Sequence, residues 1–425
     1  MSTSQPATTP SPARSAGQLL RDRTFGLYFL GNLVSNCGNW MQNITAAVVV
    51  YNLTGSALLV GLVNVAQYAA SLVLTPYAGA LSDRVDRRRL LIAGLSVSFC
   101  GAASLAVWVA IAGIDGLPGV WPVMAAALLI GLGLAFADPA RNALVPALVP
   151  PADLDQAIAL NSVTHNLARA VGPVLAAAAL TLAGPAAAFG INSLTFMAMV
   201  VVLLVIRPRA VERSASGRGS VREGLAYVRT DRRLQLLLLS VVGIGVAVDS
   251  VSTLTPPLAA RFAGGDALVG IFAGAFGVGA VAGTVALQRL RRRLSQHTLS
   301  WGGLTVLGSA MVLVAASPDR WSATVAFAVA GLGFLLAMTA VTTRIQRRVP
   351  EDFRGRVMAL WSMAFLGTRP FAALANGALA DLFGVRPAIL FGGCVGLVVG
   401  LVVLRVLRPQ AESAAVGAPE TPEAR

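Results

Sequence analysis

Lysine is absent from this 425-residue chain, and the absence excludes a class of machinery at once. A Walker-type phosphate loop needs its lysine to reach the nucleotide phosphates. The chain therefore cannot hydrolyse ATP by that route, and any pumping must draw on a gradient or a partner. Charge of every kind is scarce: 12% of residues are charged against 56% hydrophobic, with a mean hydropathy of +0.72. A soluble protein of this length needs far more charge to cover its surface. Cys37, Cys100 and Cys394 are few, odd in number and all inside apolar runs. They read as small buried hydrophobes and support neither a disulfide framework nor a metal site. With two histidines and a single deep carboxylate, the chain lacks the paired groups an enzyme needs, so neither an enzyme nor a bound cofactor or metal is expected. No filter-like loop or charged ring suggests a channel.

What is abundant is the material of helices packed in lipid: 43 glycines amid Ala, Leu and Val. An apolar helix needs about 20 residues to cross a bilayer. Cut at charge clusters and Gly/Pro turns, the sequence predicts twelve spans near 25–51, 57–81, 90–113, 120–141, 158–182, 188–206, 233–258, 267–288, 298–316, 322–343, 357–381 and 387–406. The predicted fold class is an all-α membrane protein of twelve transmembrane helices in two pseudo-symmetric six-helix bundles. Its expected parts are a disordered tail (1–17), a first half (18–206), a linker (207–232), a second half (233–407) and a second tail (408–425). The polar, Pro/Ser-rich start followed by a long apolar run reads as a tail before a retained helix, not a cleavable signal.

A net charge of +14 invites a nucleic-acid reading, but the positions of the charges argue otherwise. All 33 basic residues are arginine, and on this topology 28 fall on the side of the termini against 3 on the other. That asymmetry makes the termini cytoplasmic. It also assigns the basic clusters to the inner leaflet rather than to nucleic acid. The lysine-free, alanine-rich composition points to a GC-rich bacterial genome and so to the cytoplasmic membrane. The stretch 207–232 reads as an Arg/Ser/Gly linker ending in a short amphipathic segment. That segment either lies along the anionic leaflet or is a solvated connector.

An internal repeat supports two halves. A shift of 200 residues pairs Gly131-Leu-Gly133 with Gly331-Leu-Gly333, Val149-Pro150 with Val349-Pro350, and Arg169 with Arg369. Nearer the front of each half, a shift of 204 pairs Gly79 and Arg87-Arg-Arg-Leu90 with Gly283 and Arg291-Arg-Arg-Leu294.

Between spans 2 and 3 stands GALSDRVDRRRL (79–90). At the end of span 4 begins FADPARNALVPALVPPADLDQAIALNSVTHNLARAVGP (136–173), which runs on into span 5. The first resembles the loop motif of the major facilitator superfamily. The second resembles its enterobactin-exporter and macrolide-efflux branch, and the likeness extends over about 18–407. The resemblance implies that Gly79, Asp83, Arg84, Arg87 and Arg88 form a cytoplasmic latch, with Gly79 allowing close helix contact and Asp83 capping the loop. Asp86 stands where the family usually has glycine. The resemblance also gives gating roles to Asp138 and Arg141 at the end of span 4, and to Gly172-Pro173, a reduced form of the antiporter motif. Pro173 removes a backbone hydrogen bond and Gly172 admits a neighbour, so span 5 either bends there or simply packs closely.

Polar residues in the spans fall on stripes. Asn32, Asn36, Asn39 and Asn43 are spaced 4, 3 and 4 on span 1, which puts them on one helical face. Asn64 and Gln67 on span 2, with Asn161, His165 and Arg169 on span 5, make further stripes. Such groups avoid lipid, so they either line a substrate path or hydrogen-bond between helices. Arg369, the repeat partner of Arg169, joins the candidate path; both arginines could instead pair with acids. Asp249 in span 7 is the candidate for proton coupling, because a desolvated carboxylate can exchange protons; its other reading is a static partner for an arginine such as Arg369. The resemblance implies a proton-coupled exporter of small amphipathic molecules, siderophore-like or macrolide-like, working by alternating access. An importer or a lipid-moving carrier of the same fold is the alternative. The expected partners are a small-molecule substrate, protons and the bilayer, with a monomer as the expected unit.

Overall fold

A computed structural model describes residues 14–209 and 221–406. Most of the first expected tail (1–13), all of the second (408–425) and the centre of the linker (210–220) lie outside these residues, as do the surroundings of Gly79 and the side chains of Asp83 and Arg84. The described chain is helical, without strands. In order it forms α1 (Ala16–Arg21), α2 (Arg23–Thr54), α3 (Ala57–Arg84), α4 (Arg87–Ala112), α5 (Trp121–Leu144), α6 (Leu154–Val205), α7 (Val221–Thr230), α8 (Arg232–Thr253), α9 (Thr255–Arg261), α10 (Gly265–Leu290), α11 (Gln296–Ala316), α12 (Arg320–Arg348), α13 (Glu351–Phe383) and α14 (Val385–Val406). Two 3₁₀ turns, Val145–Ala147 and Pro151–Asp153, join α5 to α6.

Scarce acids are placed where helices begin. Asp22, Asp86, Asp231 and Asp319 each accept hydrogen bonds from the first free backbone N–H groups of α2, α4, α8 and α12. A carboxylate there satisfies orphan donors and meets the positive end of the helix dipole. Gly55 ends α2 in the left-handed region, at φ 66°, where glycine carries no Cβ penalty.

Among the described residues, ten stretches are long and apolar enough to cross a membrane, rather than the twelve read from the sequence. The difference has two sources. The asparagine stripe of α2, Asn32, Asn36, Asn39 and Asn43, leaves that 32-residue helix outside the set. And Pro151–Val205 runs as one stretch of 55 residues, about 80 Å if straight, far more than a bilayer's thickness. It is interrupted at Gly184, with φ 78° and ψ 177°, directly before Pro185.

The chain divides into two compact units, Met1–Ser216 with Thr255–Gly277, and Gly217–Leu254 with Val278–Arg425. In the first unit α2 packs mainly on α6, and α5 on α3 and α4; in the second α11 packs on α12 and α14, and α8 on α13. Two apolar clusters occupy the first unit. One gathers Leu19, Phe25, Tyr28, Leu91, Leu144 and Phe196. The other gathers Val49, Val60, Leu105, Val123 and Phe189. The polar stretch of α2 lies in sequence between the α2 residues of these clusters.

Thr255–Gly277 attaches to the first unit through small residues. Gly270 faces Ala177 and the Pro173 carbonyl, and Gly277 faces Ala170, so closely that a Cβ on either glycine would collide. At the far end of α2, Asn52 Nδ2 donates to both carboxylate oxygens of Asp266, at 3.0 and 3.2 Å.

Candidate functional site

In the first unit the amide stripe of α2 becomes part of a hydrogen-bonded chain. Arg141, only 2% exposed, lies 3.4 Å from Asp138 one turn earlier. It donates through Nη1 to Asn36 Oδ1 at 3.1 Å. Asn36 Nδ2 donates to Asn32 Oδ1 at 3.1 Å. Asn32 Nδ2 in turn donates to Asn161 Oδ1 at 2.9 Å and Thr164 Oγ1 at 3.1 Å on α6. Tyr28 Oη closes on the Arg141 carbonyl at 3.0 Å. Three helices are thereby tied by groups that would be costly to leave unpaired in a low-dielectric interior.

The rest of the stripe behaves differently. Asn39 and Asn43 are half-buried, and their Oδ1 atoms are shielded from solvent with no hydrogen-bond partner. Between them Trp40 carries the Arg169 guanidinium 5.4 Å above its ring centroid, a cation–π contact. His165, one turn before Arg169, is exposed and feels the charges of Arg141, Asp138 and Arg169. Asn64 and Gln67 are buried on α3. A Cβ at Gly172 would strike Trp40 and stand 3.0 Å from the Cys37 carbonyl. Glycine is therefore what lets α6 lie against α2 here, with Pro173 next in line.

The second unit concentrates its polar groups. Asp249, 1% exposed, accepts at Oδ2 from Thr253 Oγ1 and from Asn376 Nδ2, each at 3.0 Å. Arg369, two turns before Asn376 on α13, donates to Ser252 Oγ at 3.3 Å, and its charge reaches Asp249. The structure thus brings Asp249 and Arg369 to one seam between α8 and α13. Thr253, Ser252 and Asn376 were missed by sequence reasoning. Asn376 carried a usable signal, an amide in the middle of an expected span. Among the described residues no group of three His, Cys, Asp or Glu side chains is arranged to hold a metal.

Outside the spans, cations reach carbonyls that helix ends leave without partners. Arg87 donates to the Ala143 carbonyl at 3.0 Å, and Arg88 Nη2 to the Leu204 carbonyl at 2.9 Å. This is the favoured placement of a cation at a helix C-terminus. The N-cap of α4 is Asp86, bonded to the Arg88 and Arg89 amides. The residue that departs from the family pattern therefore has a local role of its own.

A family model described as "transmembrane secretion effector", within the major facilitator group, matches residues 15–424. The chain belongs to the major facilitator superfamily. It is accordingly a multi-pass membrane transporter of this superfamily, not an enzyme. Among curated relatives of this facilitator is macrolide efflux protein A of Streptococcus pyogenes, 24% identical over 357 residues, covering 82% of this chain and 87% of the relative. Another is the enterobactin exporter of Salmonella choleraesuis, 26% identical over 406 residues, covering 90% and 92%. Among solved structures, a bacterial homologue of the lysosomal transporter Spinster superposes with a TM-score of 0.74 at 11% identity, covering 90% of this chain and 96% of that one. At that identity the likeness concerns the fold.

Two further anchors hold helix starts, one in each unit of this facilitator. Arg14 donates to Asp153 through its backbone N and its Nε, both at 2.7 Å, and lies 3.1 Å from Asp22. Residues 14–17, read from sequence as the end of a tail, thus include an anchored side chain. The bonds from Arg14 hold the Asp153 carboxyl below the usual carboxylate range. In the second unit Arg348 forms a two-pronged pair with Asp231. Partial burial pushes the Asp231 carboxyl up, but the guanidinium and the N-terminal amides of α8 outweigh it and hold it below its ordinary value. The amphipathic α7 turns its buried face to α13, with Tyr227 stacked on Phe353 at 4.7 Å and Glu223 3.4 Å from Arg356.

Proposed function

We propose that this transporter is a proton-coupled exporter of small amphipathic molecules, siderophore-like or macrolide-like, working by alternating access as a monomer. It resides in the bacterial cytoplasmic membrane with both termini in the cytoplasm, an orientation supported by the 28 to 3 distribution of arginine. Two halves, 18–206 and 233–407, are joined by the linker 207–232. The loop at 79–90 serves as a cytoplasmic latch, with Asp138, Arg141 and the Gly172-Pro173 step in gating. The asparagine stripe of α2, Asn64, Gln67, Asn161, His165, Arg169 and Arg369 belong to the substrate path. Export, rather than import or lipid movement, is supported by the relatives whose names describe efflux.

The observation that carries the coupling is Asp249, a carboxylate buried inside a spanning helix and held by two neutral donors. A desolvated acid that can lose and regain a proton is the simplest coupling element a chain without a Walker lysine can possess. The test is transport of a labelled macrolide and of a ferric-free catecholate siderophore in reconstituted vesicles with an imposed pH gradient. Efflux that appears only with the gradient, and that Asp249→Asn removes, is expected. Efflux independent of the gradient, or unchanged pH dependence in Asp249→Asn, overturns the proton-coupled reading; uptake in the opposite direction supports the importer.

A further inference from the structure

An amide has a donor end and an acceptor end, and Asn376 uses only one of them. Its Nδ2 donates to Asp249 Oδ2, whereas its Oδ1, completely enclosed, has no hydrogen-bond partner. The residue is 0% exposed, so water does not reach it. A buried acceptor left unpaired is costly, and one that persists calls for an explanation.

Asp249 supplies it. An ionised carboxylate only accepts hydrogen bonds, so it must face the donor end of the amide. A protonated carboxyl also donates, and needs an acceptor. Rotating the Asn376 amide by half a turn about its Cβ–Cγ bond presents Oδ1 to the carboxyl. We propose that Asn376 is the positioning residue through which the protonation state of Asp249 is passed from α8 to α13. The inference rests on the reading of Asp249 as the proton site.

The exchange balances. One proton enters from solution and resides on the Asp249 carboxyl. The Nδ2–H···Oδ2 bond breaks and an O–H···Oδ1 bond replaces it, while Asn376 neither gains nor loses a proton. Thr253 can also accept from the carboxyl, but it stands one turn away on α8 itself, so its bond moves nothing between helices. Asn376 belongs to the neighbouring helix.

Among the described residues of the elements packed on α8, namely α7, α11, α12, α13 and α14, the charged group whose field reaches Asp249 is Arg369 of α13. Arg369 and Asn376 are seven residues apart, two turns on one face, and both bond to α8. Charge-assisted hydrogen bonds are roughly twice as strong as neutral ones. Protonation therefore weakens the Asn376 bond and cancels the attraction of Arg369 in a single event, and the α8–α13 seam loosens. This gives helix movement a cause located at one side chain.

The test uses the full chain reconstituted in lipid, with infrared difference spectra between acidic and alkaline pH and no substrate needed. Asp249→Asn assigns the carboxyl C=O band that appears on acidification. In Asn376→Leu that band should move, because its hydrogen-bond partner is gone, and the pH midpoint of its appearance should shift by about half a unit or more. Asn376→Gln, which keeps both ends of the amide, should restore band and midpoint towards the parent. If Asn376→Leu does not fold, Asn376→Ala makes the same measurement with both polar atoms removed. A band and midpoint unmoved in the Leu or Ala variant overturn the role of Asn376 while leaving Asp249 as the proton site. A band that survives Asp249→Asn instead overturns the Asp249 reading itself.

Discussion

The first unit strings its buried polar side chains across three helices, whereas the second gathers them around one carboxylate. In the first, Arg141, Asn36, Asn32 and Asn161 bond in series, and the acid at the end of the chain, Asp138, is half-exposed. In the second, Asp249 is buried, 1% exposed, with Thr253 and Asn376 bonded to one oxygen. A chain of amides around a permanent cation holds helices at every pH. A buried carboxylate can be switched. The two units can thus divide the work, one fixing a framework and the other responding to protons, and this division is open to experiment.

The largest effect is expected from Asp249→Asn. Gradient-driven efflux in vesicles should fall to the level of protein-free controls, while thermal stability in detergent changes little because Asn keeps an acceptor for Thr253. Arg141→Met in the first unit should do the reverse. It strips Asn36 and Asp138 of their partner and should cost about 3 kcal/mol of stability, read as a lower thermal midpoint. The pH profile of whatever transport survives should not move; if it does, the division between framework and switch is broken.

Asp231→Asn is expected to act more weakly and through pH. The folded carboxyl titrates below its unfolded value, so its contribution is complete above the unfolded pKa, about 4, and is lost as pH falls through the lower folded value. Asn still caps α8 but cannot pair with Arg348. Stability at neutral pH should drop by about 1 kcal/mol, and the acid-induced loss should become shallower. Arg14→Gln offers the parallel experiment at Asp153 in the first unit, and a similar flattening there would show that the two units anchor their entrances alike. The smallest effect is expected from Asp266→Ala, since the Asn52 bond is exposed. A loss beyond about 0.5 kcal/mol would mean that the attachment of Thr255–Gly277 to the first unit depends on that one contact.

Much of this was legible in the residues themselves. The apolar runs and the arginine asymmetry announced a multi-pass membrane protein, because hydrocarbon accepts few other sequences. The Gly79 loop and the 136–173 stretch announced the superfamily. The spacing of Asn32, Asn36, Asn39 and Asn43 announced a single face, because helical periodicity is local. It did not say which helix the face would meet, and Asn32 and Asn36 proved to be bonded inside the first unit while Asn39 and Asn43 flank the Trp40–Arg169 contact.

The sequence by itself determined the solvent this chain lives in, its helical class and the ends at which its helices are capped, since each follows from neighbouring residues and the bilayer. Only the tertiary structure decided that Asn376, 127 residues away from it, would hold Asp249. Only the tertiary structure assigned Thr255–Gly277 to the first unit, where the sequence suggested an uninterrupted span over 233–258. The helix breaks at Leu254, ahead of Pro256 and Pro257, and the segment beyond it finds its partners in α2 and α6. Contacts between residues far apart in the chain depend on shape and burial across helices, and no local pattern encodes them.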